Sequence, residues 1–318
     1  MKKILEKRAV KIVLIVMMLA GLCLILYPTV SDWWNTFHQT RVIASYVENV
    51  EGMTEEESEK LLEEAYAYNE KLAEKNSGFI LSEQEEEEYN GLLDISGTGV
   101  MGYIQIPSIG VNLPVHHGAE ADILQKAIGH IPGSSLPVGG ESSHCLISGH
   151  RGLPSAKLFS DLDRLEEGDI FTLTVLNQTA TYQVDEIRVV LPEEQNGLGV
   201  TDGEDYCTLI TCTPYGVNSH RLLVRGKRIQ NLSEEQEIKA EAVKYPLYRV
   251  VLAVAVPLAI LMFFVVFLYQ KMKHPKKSTE EILEVIRRKG QEEGKEDGDI
   301  KRTGKNKENK DIKEDDRS

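Results

Sequence analysis

No Cys-x-x-Cys pair and no cysteine–histidine ligand spacing occurs in the 318 residues, which excludes the common zinc arrangements. Cysteine is scarce altogether, with four in the chain. Cys23 lies in an apolar run, leaving Cys145, Cys207 and Cys212. An odd number in an exported domain leaves at least one free thiol. Cys207 and Cys212 are five apart on one strand-like run, so they point to opposite faces and cannot bridge locally. For Cys145 and Cys207 a role as buried apolar thiols suffices. Basic excess is missing too: 36 Lys and Arg stand against 50 Asp and Glu, a formal net charge of -14, which argues against nucleic-acid binding. There is no internal repeat. A small-x-small cleavage signature is absent from "YPTVSDWW", which follows the first apolar run, so that run reads as an uncleaved signal-anchor.

Two apolar stretches are present. Ile12 to Tyr27 follows a basic start (Lys2, Lys3, Lys7, Arg8, Lys11), and Val250 to Tyr269 carries no charge and precedes Lys271, Lys273, Lys276 and Lys277. Both approach the roughly 20 apolar residues that a spanning helix needs, and Pro257 is tolerable within one. Basic residues at the outer ends of both put the two termini in the cytoplasm and the intervening chain outside. Trp33, Trp34, Tyr245 and Tyr248 then fall at the outer interface, where amphipathic rings settle.

The expected organisation is a cytoplasmic N-terminus over 1–11, a transmembrane anchor over 12–29 and an extracellular helical region over 30–98. A mainly β domain over 99–230, a juxtamembrane linker over 231–249, a second transmembrane helix over 250–269 and a charged, largely disordered tail over 270–318 follow. In the helical region Thr54 and Glu57 form a capping box ahead of the apolar stripe Leu61, Leu62, Ala65, Tyr68 and Leu72. "SEQEEEEYNG" predicts a second short helix. From Gly99 short β-rich runs separated by turns suit a small barrel, with a hairpin turning near Asn177-Gln178.

The stretch "TLITCTPYGVNSHR" ends a strand on Cys212, turns through Pro214 and Gly216, and returns with Arg221. A cysteine nucleophile acts as thiolate and needs a general acid for its leaving group. His150 ends a strand in "LISGHRGLP" as Cys212 does in "LITCTPYG", so one barrel rim can hold both. Arg221 can aim guanidinium donors at a carbonyl oxygen or oxyanion. His220 is a rival base, although alternation turns it away from Arg221, and spacing alone does not exclude His144. Thr211 and Ser148 flank these residues and are expected to line a peptide groove, with Tyr215 contacting substrate or bracing the turn. His117 and His130 read as hydrogen-bonded structural histidines.

"TLITC" resembles the Thr-Leu-x-Thr-Cys signature of sortases, the surface cysteine transpeptidases of Gram-positive bacteria. Three longer runs resemble the pilin-polymerising class C: "TLITCTPYGVNSHRLLVRG", "LPVGGESSHCLISGHRGLPSAKLFSDLDRLEEGD" and "GTGVMGYIQIPSIGVNLPVHHG". The resemblance implies a closed eight-stranded β-barrel with short helices, an N-terminal helical appendage and two flanking transmembrane helices. It implies Cys212 as nucleophile, His150 as general acid/base and Arg221 as the residue steadying substrate or oxyanion, with no metal or organic cofactor. Implied partners are proteins bearing a Leu-Pro-x-Thr-Gly (LPXTG) signal, cleaved between Thr and Gly, and a pilin lysine that accepts the acyl group. Attachment of single surface proteins to a lipid-linked peptidoglycan precursor is the alternative within the family. A non-catalytic peptide-binding barrel and a hydrolytic cysteine protease are the alternatives outside it. In the pilin-polymerising class a lid with an Asp-Pro-aromatic tripeptide covers the cysteine, but no Asp-Pro occurs between Ala73 and Tyr89. Phe79 is the candidate lid aromatic, set against the reading of a packing residue between two helices.

Overall fold

The computed structural model describes residues 2–75 and 79–231, and beyond these 255, 257–265, 269, 283–284 and 286–287. The chain divides into two units, Met1–Leu252 and Ala253–Ser318. In the second unit residues 257–265 are helical, and most of the expected 250–269 segment, like the linker and the tail, lies outside the described residues.

Eight strands close a barrel in the first unit: β1 (Val100–Ile106), β2 (Val111–His117), β3 (Ile128–His130), β4 (Ser143–Ser148), β5 (Ile170–Val175), β6 (Gln178–Val190), β7 (Asp205–Thr213) and β8 (His220–Ile229). The order around it is β1-β2-β3-β4-β7-β8-β6-β5. The mainly β fold with short helices is the expected one. Alternation sorts β7 cleanly. Cys207 and Leu209 enter the barrel core with Cys145 and Ile147 of β4 and Leu222 and Val224 of β8. The residues between them face outward. Phe171 and Tyr182 stack inside the core with ring centroids 5.5 Å apart, and burial holds the Cys207 thiol protonated, well above its usual range.

Three helices precede the barrel. The first, α1, runs unbroken from Lys2 to Glu51 with Pro28 inside, where the 30–98 region was expected to be separate from the anchor. After Pro28 the sequence offers no helix stop until Gly52, and one missing N–H interrupts a single backbone bond. From Ile12 onward this helix is long and apolar enough to cross a membrane. Its C-terminal half docks on the barrel. Tyr46 is 2% exposed, and its hydroxyl donates to Met101 O at 2.9 Å and accepts from Leu176 N at 2.8 Å. Burial pushes its pKa up to about 12, so it stays a donor at any physiological pH.

Helix α2 (Glu55–Lys75) starts at the expected capping box, with Thr54 N donating to Glu57 Oε2 at 2.9 Å and Glu57 N to Thr54 Oγ1 at 3.2 Å. The Thr54 N–H and hydroxyl, both donating to Glu57 Oε2, hold its carboxyl below its usual pKa. Asn69 on this helix is buried and clamps the barrel, donating to Leu136 O and accepting from Leu136 N. Helix α3 (Glu83–Gly91) has its own capping box at Ser82 and Glu85 and inserts Tyr89 under the barrel end, against His130. His130 and His117 have both ring nitrogens at hydrogen-bond distance from neighbours, as structural histidines do.

Candidate active site

Strands β4 and β7 run parallel and pair directly, Ser148 lying opposite Ile210. The ladder continues one step further: Gly149 N donates to Ile210 O at 3.0 Å. A buried bond from Thr211 Oγ1 to Gly149 O, 2.7 Å long, then locks the end of β4 to β7. His150 stands two residues past Ser148 and Cys212 two past Ile210, so the chain leaves β4 toward His150 at the end of the barrel where β7 reaches Cys212. On the other side, β8 runs antiparallel and Arg221 is the direct partner of Cys212. Cys212 is therefore flanked by His150 on one neighbouring strand end and Arg221 on the other. By alternation the Cys212 and Arg221 side chains leave the outer face of the barrel, and they and His150 are half-buried.

Gly149 makes this approach possible. A Cβ there would meet Phe159 Cδ2 at 2.7 Å and Ile128 Cγ2 at 2.8 Å, so any side chain would push the His150 loop off the core. The Arg221 guanidinium donates to Asn218 O at 3.4 Å and His220 O at 3.2 Å. Among the described residues it has no carboxylate within ion-pair distance. The rival bases are placed elsewhere. His220 pairs with Thr213 and takes the opposite parity to Arg221, with Nδ1 2.9 Å from Ser219 Oγ. His144 sits opposite Tyr206, six residues or about 20 Å along β7 from Cys212. Its ring is fixed by Gly199 O and Thr208 Oγ1, and burial lowers its pKa.

The neighbours separate into two kinds. Ser148 is half-buried on the outward face, and Tyr215 is 63% exposed at the turn. Thr211, expected to line the groove, is 2% exposed and faces inward. Its hydroxyl donates to Gly149 O, which ties β7 to the residue before His150. Arg151 escaped sequence reasoning. Its buried guanidinium joins the His150 loop to the end of β7, donating to Thr213 Oγ1 at 3.3 Å, pairing with Asp163 and lying 5.7 Å from the Tyr215 ring. The only signal in the sequence was its place immediately after His150.

Phe79 does not pack between two helices. It packs on the outer barrel face against a cluster of Leu146, Val190, Leu198, Ile210 and Leu223. Ile210 and Leu223 are each one pleat repeat, about 7 Å, from Cys212 and Arg221. The segment is seated tightly: Gly133 has φ +82, and a Cβ there would lie 2.8 Å from Phe79 Cα.

A family model described as the sortase domain matches residues 104–229. Sortase C1 from Streptococcus agalactiae is 50% identical with a TM-score of 0.59, the match covering 60% of this chain and 100% of that one. Sortase C from Clostridium perfringens, solved with the C-terminal cell wall sorting motif, is 41% identical with a TM-score of 0.54, covering 60% of this chain and 100% of that one. Sortase D of Bacillus subtilis (strain 168) is 29% identical over 131 residues, 40% of this chain and 63% of that protein. The match thus spans less than two thirds of that curated relative's length. The chain belongs to the sortase family, whose members are cysteine transpeptidases, and its structural relatives place it in class C.

Proposed function

We propose that this chain is a membrane-anchored transpeptidase that cuts an LPXTG-type signal between Thr and Gly and transfers the acyl group to a lysine amine of a pilin. The observation that supports this reading is the strand register: Arg221 is the direct partner of Cys212 on β8, and His150 follows the end of β4, which pairs with β7 as far as Ile210. The Cys212 thiolate attacks the threonine carbonyl carbon, and the developing oxyanion takes directed hydrogen bonds from Arg221. His150, as imidazolium, gives its proton to the leaving glycine amine as the C–N bond breaks. The resulting thioester is opened by the lysine amine, which loses a proton to His150 while Cys212 leaves as thiolate. Each cycle exchanges one amide for another and regenerates the starting protonation states. Helix α1, with 250–269 as a second span, holds the barrel outside with both termini in the cytoplasm. A shared membrane plane raises the effective concentration of an anchored substrate.

The reading is tested with an LPXTG peptide and two acceptors, a lysine-containing pilin-type peptide and a peptidoglycan-type amine. An amide product with the lysine peptide supports it, product with only the second acceptor assigns peptidoglycan attachment, and free carboxylate alone makes the protein a hydrolase.

In this reading Phe79 occupies the groove that the peptide must enter, and the lid works by apolar packing without an acidic contact to Arg221. Phe79→Ala is expected to speed alkylation of Cys212 several-fold, since it removes a partly buried aromatic whose packing contributes about 1 kcal/mol. An unchanged alkylation rate assigns Phe79 to packing alone.

A further inference from the structure

Helix α1 touches the active-site end of the barrel at a low point along its length. Ser31 Oγ donates to Ser155 O at 3.1 Å, and Lys157 N donates to Asp32 Oδ1 at 2.8 Å. A cleft of about 540 Å³ opens there, lined by Pro28, Thr29 and Asp32 of the helix and by Arg151, Leu153 and Tyr215 of the catalytic end. The loop that follows His150 is thus attached to helix positions 28–32.

Two markers give the level of those positions relative to a bilayer. Counting from Lys11, the last basic residue before the apolar run, the 19 residues Ile12 to Val30 rise about 28 Å, close to the roughly 30 Å hydrocarbon core. Residues 28–32 then stand at its outer boundary. Independently, Trp33, Trp34 and Phe37 are 49%, 57% and 47% exposed on the following turns. Such a belt of exposed aromatic rings marks the headgroup layer. The loop contacts therefore lie on the membrane side of the aromatic belt. The docking of α1 holds this level: Gln39 Nε2 donates to Lys126 O at 2.8 Å, and Tyr46 ties down the β5–β6 turn about 22 Å along the axis from Ser31.

We propose that the Arg151–Lys157 loop is a membrane-contact surface lodged in the headgroup layer, so that the mouth bearing Cys212 and His150 opens at the lipid surface. This rests on the reading of α1 as a membrane span. Leu153 is half-buried and Pro154 exposed, which gives the loop an apolar tip suited to that boundary. A substrate still tethered to the bilayer then reaches the cysteine beside its own anchor, whereas a mouth at the β5–β6 end would face away from it.

The chain contains two tryptophans, Trp33 and Trp34, and this makes a depth measurement direct. The full-length protein is placed in phosphatidylcholine vesicles with lipids brominated near the top of the acyl chain. Wild-type fluorescence is expected to be quenched, which tests the span. Single probes at Pro154→Trp and, separately, Leu153→Trp are then made in a Trp33→Phe, Trp34→Phe background, with Asn177→Trp at the β5–β6 turn as the distant site. Retained cleavage of an LPXTG peptide verifies the fold of each, because Cys212, His150 and Arg221 are untouched. The expected result is at least about a twofold loss of intensity at 153 and 154, positions within the 5–10 Å interfacial depth, with none at 177. Quenching of wild type without quenching at 153 and 154 overturns the loop contact and leaves the span standing. Absence of quenching in wild type refutes the span and the inference with it.

Discussion

With Cys212 replaced by alanine, acyl transfer falls by at least about 10⁴-fold, the scale on which covalent catalysis fails when its nucleophile is removed. The melting temperature moves by no more than about 2 °C, as for a substitution outside the core. The second half of this expectation follows from position. Cys212 is half-buried and faces outward, and no interior contact depends on its sulfur. The first half follows from the lack of a substitute: Cys145 and Cys207 are 2% and 0% exposed inside the barrel, and Cys23 lies within α1. The test is single-turnover ligation of an LPXTG peptide to an amine, read by mass, alongside a thermal melt. Product at a wild-type rate from a folded Cys212→Ala protein removes the nucleophile assignment.

Arg221→Ala is expected to lower kcat/KM by about 10² to 10³-fold, the usual cost of losing one oxyanion donor in a preorganised site. Most of the loss should fall on kcat, because in the proposed mechanism the guanidinium serves charge that develops during attack. Stability should hold. The side chain is half-buried, its partners are two backbone carbonyls of the β7–β8 turn, and it closes no ion pair among the described residues. Arg221→Lys keeps the charge but loses the planar pair of donors, and should recover only part of the rate. A rise in KM with kcat unchanged makes Arg221 a substrate-holding residue instead.

The strand ending on Cys212 was legible because its pattern is local: an alternating run, a cysteine, a Pro/Gly turn and a returning arginine. The antiparallel partner of Cys212 follows from that turn, since a short connection forces nearby residues to pair. The parallel pairing of β4 with β7 did not, because their residues are separated by more than 50 positions and no turn fixes their register. That is why Thr211 read as a groove residue: its inward hydroxyl has meaning only once Gly149 lies beside it. The length of α1 was obscured for a different reason. Pro28 and the polar residues after it read as the end of an anchor, whereas tertiary contacts from Ser31 to Tyr46 reward continuing the helix along the barrel. Phe79 was found as the sole aromatic in its segment, but its seat on Leu146, Ile210 and Leu223 required the fold.

The most direct test of the central claim is peptide-mapped mass spectrometry of the protein trapped with an LPXTG peptide before acceptor is added. The account predicts one acyl adduct, ending on the threonine of the signal and carried by the peptide containing Cys212, which disappears when an amine is supplied as ligated product forms. An adduct on any other residue, or product formed with no adduct on Cys212, contradicts it.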